Sequence, residues 1–393
     1  MDRSLNRLLL AAAFASAFLF SRAQAQENAF SLPDNDQIPW EKIVVLDQKT
    51  PGNLDDACYI TLLKSPPGFE MNASLLFLQP LSGNLQYATL IHPFPFISPH
   101  WEDQSVNPDF TPAFNVGMRY DFGSGADVQL SWTSLNTFDG ASAHGDPTPV
   151  FVPGQGTFFT QALGPPNLVG PPPPFTNASA VAHFSYDAVD GDAGLWLSAG
   201  NHVHMRIFAG LEGARVSQSL SANFQSPDGL IGFNDTSRSV FIGIGPRLGS
   251  DAHCTWGNFD FLVGLAGAML IGGVENHIDF LTSSPTVVQN GLSINPQSLT
   301  SPDAIRVVPS IDARVACNYS IPVGRYGTFK CEAGYQAAAY FNAVTQYALS
   351  EVEDSATFHQ ETDQYGGVFL RTTSEQQSNF LVHGPYLKFT FEF

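Results

Sequence analysis

Eight side chains carry the plainest chemistry in this sequence. Arg119, Asp121, Asp127, Gln129, Lys330, Glu332, Lys388 and Glu392 each sit on the polar side of a stretch that alternates polar and apolar residues. Alternation with a period of two marks an extended strand with one wet face. Mixed charges that line a water-filled interior act on passing ions by field rather than by shape. Other chemistry has thin support. His202 and His204 share a strand face, as two metal ligands would, but no third ligand stands near them. Asp187, Asp190 and Asp192 surround Gly191 without the spacing or closing Glu of a calcium loop. Gly243-x-Gly245 lies inside a strand-like segment rather than before a helix, so it does not read as a nucleotide loop. No G-x-S-x-G or H-E-x-x-H occurs. The expectation is a protein with no catalytic residues, no metal site and no cofactor.

The elements that hold these side chains are best seen at the C-terminus. Leu387, Phe389, Phe391 and Phe393 share one face of a final strand, and Tyr386, Lys388, Thr390 and Glu392 share the other. A soluble protein seldom ends on three Phe residues at alternating positions, because a frayed terminus would expose them. A strand that closes a barrel in lipid gives them a place. Leu387, Phe389, Phe391 and Phe393 are therefore expected to face lipid, with Lys388, Thr390 and Glu392 in the lumen. The four apolar residues are also expected to form a C-terminal signal for a barrel assembly machinery.

Residues 1–25 read as a signal peptide. Arg3 and Arg7 form a positive start, Leu8 to Phe20 an apolar run, and Ala23-Gln24-Ala25 a cleavage site. Removing Asp2, Arg3, Arg7 and Arg22 with that segment takes the net charge from −19 to −21. Such an acidic chain is a poor partner for nucleic acid, whose phosphates need Lys and Arg. No later segment reaches the roughly 18 apolar residues of a membrane helix. Residues 26–67 read as a periplasmic extension broken by Pro33, Pro39, Pro51, Pro66 and Pro67, with one short strand expected at Lys42–Asp47. Residues 68–393 carry the barrel pattern.

Ten strand-like segments follow, near 69–79, 110–122, 126–138, 177–199, 202–224, 232–248, 254–281, 304–320, 328–347 and the terminal strand. Turns are expected at Gly123-Ser124-Gly125, Gly200-Asn201, Gly249 to His253 and Ile321 to Gly327. Short and longer connections alternate, as in outer-membrane barrels with short periplasmic turns and longer outside loops. The fold class is thus an all-β, transmembrane, antiparallel up-and-down barrel of about ten strands, with eight to twelve as the range. Val263 to Ile271 is apolar on both faces, so pattern alone does not orient that strand.

Cys317 and Cys331 lie seven positions on either side of Gly324, which can set them opposite each other across a hairpin. They form the candidate disulfide. A Cys58–Cys254 bridge, free thiols and bridges between subunits stay open.

The segment Phe241-Ile242-Gly243-Ile244-Gly245-Pro246-Arg247-Leu248-Gly249 resembles a stretch of the Legionella-type major outer-membrane proteins. Phe114 to Tyr120, Phe208 to Arg215, Glu332 to Gln336 and His383 to Leu387 extend the resemblance over about 68–393. The family is described as porin-like. The resemblance implies a β-barrel pore in the outer membrane of a Gram-negative-type bacterium and gives no catalytic residue. The expected function is passive diffusion of small polar solutes or ions, with weak cation preference from the acidic excess. The alternative is a plugged small barrel acting as a structural or adhesive surface protein. Expected partners are outer-membrane lipid, the assembly machinery and small solutes, with a homo-oligomer left open.

Overall fold

A computed structural model describes residues 60–393 apart from 64–65, 93–99, 147, 154–155, 167–174, 200–201, 228, 230–231, 283–287, 290–291, 294–295, 302–303, 324–326 and 355–367. The expected signal peptide, the Lys42–Asp47 strand, Cys58 and the Gly200-Asn201 turn lie outside the described residues. Ten long strands build the molecule: β1 Gly68–Ser82, β2 Thr111–Asp121, β3 Ala126–His144, β4 Asn177–Ala199, β5 Val203–Gln225, β6 Gly232–Trp256, β7 Phe259–Thr282, β8 Ala304–Val323, β9 Gly327–Asp354 and β10 Val368–Glu392. Each pairs antiparallel with its sequence neighbour, and β10 pairs with β1. The ring is closed.

Its stagger can be followed residue by residue. A row of paired residues starts at Ala199 and passes through Val203, Cys254, Phe261, Cys317, Ala333, Leu387, Leu75, Phe114 and Ser134. It returns to β4 at Asp187, twelve residues from its start. Stagger of that kind forces the strands to tilt against the barrel axis, and ten strands leave only a narrow interior.

The long strands are apolar on alternate residues, but on β5, β6 and β7 the apolar face changes side part-way along. On β5, Val203, Met205, Ile207, Ala209 and Leu211 point outward, opposite inward His204, Arg206 and Glu212. Beyond Gly213 the outward residues become Arg215, Ser217, Ser219, Ser221 and Asn223, and the inward ones become Ala214, Val216, Leu220, Ala222 and Phe224. β7 repeats the switch, from outward Phe259 to Ile271 to outward Glu275, His277 and Asp279. On β6 the outward apolar run ends at Val240, with Arg238, Thr236 and Asn234 beyond it. The exposed apolar belt at the short-turn end, with Leu248 at 67% and Val263 at 58% exposure, matches the lipid-facing band of a membrane barrel. Above the belt the barrel projects into water and fills with its own apolar core, whose members include Phe184, Phe224, Phe241, Phe280 and Phe380.

Several strand boundaries differ from the sequence pattern. β6 runs to Trp256, and its turn is at Gly257-Asn258, with Gly257 at φ 63°, rather than at Gly249 to His253. Gly249 is inward-facing, where an added Cβ would meet Phe208 and Ala266 by their side chains, so it serves close packing and not a turn. β9 and β10 extend to Asp354 and from Val368, over much of what reads as an acidic loop, because a hairpin outside lipid can be polar on both faces. β3 continues past Phe138 to His144 for the same reason.

At the short-turn end, Ile60–Leu62 pairs with the last residues of β4, and the Leu63 amide donates to the Trp196 carbonyl at 3.0 Å. At the opposite end, Gln86–His92 pairs with His100–Ser105 and Ala162–Gly164. This small sheet sends Tyr87, Ala88 and Leu163 into the barrel core. The outer mouth is therefore covered by its own loops.

Candidate functional site: a charged lumen under an aromatic layer

The inward face below the switch is polar because water, not lipid, must meet it. At the short-turn mouth, Arg119 of β2 pairs with Glu70 of β1 at 2.5 Å. Lys330 of β9 pairs with Glu392 of β10 at 3.0 Å, and Lys388 lies 3.7 Å from Glu332. Asp260 takes a contact from His253 at 2.7 Å and a hydrogen bond from Asn318 at 3.2 Å. All of these groups except Glu392 line a cavity of about 260 Å³ that also meets Gln129, His204 and Thr390.

The next level is a buried ion network. Arg206 of β5 is 2% exposed, and its Nε and Nη2 donate to Asp127 of β3 at 2.5–3.0 Å. Trp196 Nε1 donates to the same carboxylate at 2.6 Å. Arg314 of β8 donates to Asp251 at 2.8 Å, and Arg206 Nη1 stands 3.9 Å from Asp251. Arg247 of β6 bridges Asp190 at 2.5 Å and Asp312 at 2.7 Å. Glycine makes room for two of these long side chains. A Cβ on Gly194 would strike the Arg206 guanidinium, and one on Gly264 would strike Arg314 and Asp251. This also settles the two-faced apolar run of β7. Val263, Leu265, Met269 and Ile271 face lipid, while Gly264, Ala266 and Ala268 face the lumen, small enough to leave space for the arginines.

Above the arginines the lumen turns aromatic. Tyr340 donates to Glu212 at 2.8 Å and shares a hydroxyl contact of 2.9 Å with Tyr186, while Tyr386 donates to Glu332 at 2.5 Å. The rings of Tyr186 and Tyr340 then pack on Phe380, and Phe184 packs on Phe380 from another side, with centroids 5.7–6.3 Å apart. Leu76, Leu78, Leu135 and Val216 complete this layer. Polar cavities of about 120 and 50 Å³ end beneath it.

All eight sequence-chosen lumen residues fall on the inward face. Arg119, Asp127, Gln129, Lys330, Glu332 and Lys388 line or border the cavities directly. Asp121 sits at the rim, where its carboxylate accepts the Gly123 amide at 2.9 Å and so caps the β2–β3 turn. Glu392 is half-exposed at the mouth. On the terminal strand, Leu387, Phe389, Phe391 and Phe393 point outward, as the alternation requires.

The candidate disulfide is corrected. The β8–β9 hairpin is centred on residue 325, so Cys317 pairs with Ala333 and Cys331 with Tyr319. Both cysteines are free and face outward, two steps apart along the ladder, and Cys254 is also free.

The sequence pattern missed the core of the network: Arg206, Arg247, Asp251, Asp312 and Arg314. One signal was available. Arg206 and Asp251 are direct cross-strand partners on β5 and β6. Placing a turn at Gly249 to His253 put Asp251 in a loop and hid the pair.

This geometry can be set beside known proteins. The family described as Legionella pneumophila major outer membrane protein precursor matches residues 64–393. The chain belongs to that family. It is an outer-membrane β-barrel protein. No curated relative matches the sequence. Among solved structures, the outer membrane protease OmpT from Escherichia coli is similar at 11% identity and TM-score 0.38, over 85% of this chain and 99% of that one. The translocator domain of the autotransporter NalP from Neisseria meningitidis follows at 12% identity and TM-score 0.27, over 83% and 88%. The toluene transporter TodX from Pseudomonas putida follows at 6% identity and TM-score 0.22, over 84% and 91%.

Proposed function

We propose that this barrel is a narrow, low-conductance channel for small ions and polar solutes, at rest behind its aromatic layer. The reading rests on one observation: a polar, charged lumen rises from the short-turn mouth through the full height of the lipid belt. A polar wall lowers the cost of moving a hydrated solute past hydrocarbon. Acidic side chains outnumber basic ones along the three lumen cavities, eight to six, which supports a weak preference for cations. No catalytic step belongs to this reading.

The aromatic layer favours a second reading, a permanently plugged barrel that serves as a surface protein through its projecting half. Planar-bilayer recording in KCl separates the two. The native protein should give small or infrequent steps, and a Phe184→Ala/Phe380→Ala double variant should give larger and more frequent ones. Under a KCl gradient the reversal potential should carry the sign of cation preference. Silence from both proteins, with barrels verified by the mobility difference between boiled and unboiled samples, would leave only the plugged barrel.

A further inference from the structure

The projecting half of the barrel holds a separate cavity of about 40 Å³ that the channel reading does not use. It lies between the outer ends of β5 and β6, the β9–β10 hairpin and the segment after β1. Tyr87, Phe224 and Tyr347 supply aromatic walls, and Asp235 and Gln346 supply polar ones. Asp235 stands on the inward face of β6, paired with Ala222. Its outward neighbours Asn234 and Thr236 are polar, which places this level in water above the lipid belt.

Two oxygens here lack partners. Asp235 Oδ1 and Gln346 Oε1 are both buried and accept no hydrogen bond. Buried acceptors in native proteins are normally met by a donor. The other polar walls are engaged elsewhere. Asn84 donates to the Gln376 carbonyl at 3.2 Å, and Gln86 donates to Asp103 at 2.7 Å. Among the described residues no cation stands beside Asp235, and burial pushes its carboxyl up to about 8. The pocket combines a carboxyl that an entering cation would ionise, a spare amide oxygen and aromatic walls.

We propose that this pocket binds the ammonium head of a small primary amine, held by Asp235 and Gln346 against the rings of Tyr87, Phe224 and Tyr347. An –NH₃⁺ group brings three donors and a full positive charge. Aromatic faces attract such a cation, and its methylenes suit the remaining Leu220 and Ala222 wall. A calcium or magnesium ion would demand six or more oxygen ligands, far beyond two. A quaternary ammonium has no N–H to offer the orphaned oxygens. Asp235 belongs to the barrel wall, whereas Gln346 and Tyr347 belong to the β9–β10 hairpin, whose Thr345 amide donates to Ser239 of β6 at 3.0 Å. A bound ammonium therefore ties that hairpin down. The site stands whether or not the lumen conducts.

Isothermal titration of the full-length protein in detergent, with methylammonium chloride as probe, tests this directly. Tetramethylammonium and sodium chlorides serve as comparison salts. Saturable methylammonium binding is expected, weakened about tenfold or more by Asp235→Asn and by Gln346→Leu, since a hydrogen bond to a charged group is lost. Asp279→Asn, on the outer wall of β7, should leave it unchanged. Boiled and unboiled gel mobility verifies that each variant is folded, and if Asp235→Asn does not fold, Gln346→Leu decides. The proposal is overturned by absence of saturable methylammonium binding, by native affinity in a folded Asp235→Asn or Gln346→Leu protein, or by equal binding of either comparison salt.

Discussion

Asp127→Asn is the perturbation that most directly probes how the lumen is held. In the native barrel the Asp127 carboxylate receives Arg206 through two nitrogens and Trp196 through a third, with Arg206 2% and Asp127 1% exposed. The substitution keeps the shape and one acceptor but removes the charge. Arg206 is then left with Asp251 alone, 3.9 Å away and already bonded to Arg314. Stranding one partner of a buried pair costs about 3–5 kcal/mol, and the retained amide oxygen and Asp251 set the expectation at the lower end, about 3 kcal/mol. The assay is urea-induced unfolding in detergent micelles, read by tryptophan fluorescence. Adding Arg206→Met should recover much of the loss, because the stranded charge is gone and Met fills part of the space. A double variant as unstable as the sum of its two singles would refute the pairing, since independent sites add.

Three further outcomes follow from the same structure. Deleting Phe393, which extends the outward row of Phe389 and Phe391, should lower the amount of folded protein in the outer membrane without altering any loop, measured by surface labelling; unchanged levels would remove its proposed role in assembly. Asp235 binds its proton more tightly folded than unfolded, its carboxyl being pushed up to about 8, so the stability it lends at low pH is lost as pH rises from about 4 through 8. Tyr87, the neighbouring phenol, is also raised by burial and titrates above this window. The unfolding temperature in amine-free buffer should therefore fall across that range, and Asp235→Asn should flatten the fall; an identical slope would show that another group drives it. Mass spectrometry of denatured, unreduced protein should find maleimide on both Cys317 and Cys331, and a peptide linked between them would refute the β8–β9 register.

Much of this barrel is legible in its residues because a membrane strand obeys a strict local rule. Each of Leu387, Phe389, Phe391 and Phe393 declares its face by position alone, and the alternation of short and long connections declares strand count and direction. The same rule gave Arg119, Asp127, Gln129, Lys330, Glu332 and Lys388 as inward. It failed where local signals were ambiguous. Gly249 resembles a turn residue, yet its lack of a side chain serves the Phe208 and Ala266 packing beside it. The equal spacing about Gly324 resembles a hairpin centre, yet the true centre is one residue later, and a shift of two in pairing separates Cys317 from Cys331.

Local pattern alone supplies the period of two, the ten strands, their order and which face of the lower barrel meets lipid. Each of these depends on residues a few positions apart. The partners in the lumen depend instead on the stagger of the closed ring. Arg206 meets Asp127, and Arg247 meets Asp190 and Asp312, only because strands distant in sequence are brought to one height across a narrow interior. The change of apolar face at Gly213 on β5 likewise acquires meaning only when the paired strands β6 and β7 change near the same level. There the outer surface leaves lipid for water, and the interior trades water for an aromatic core.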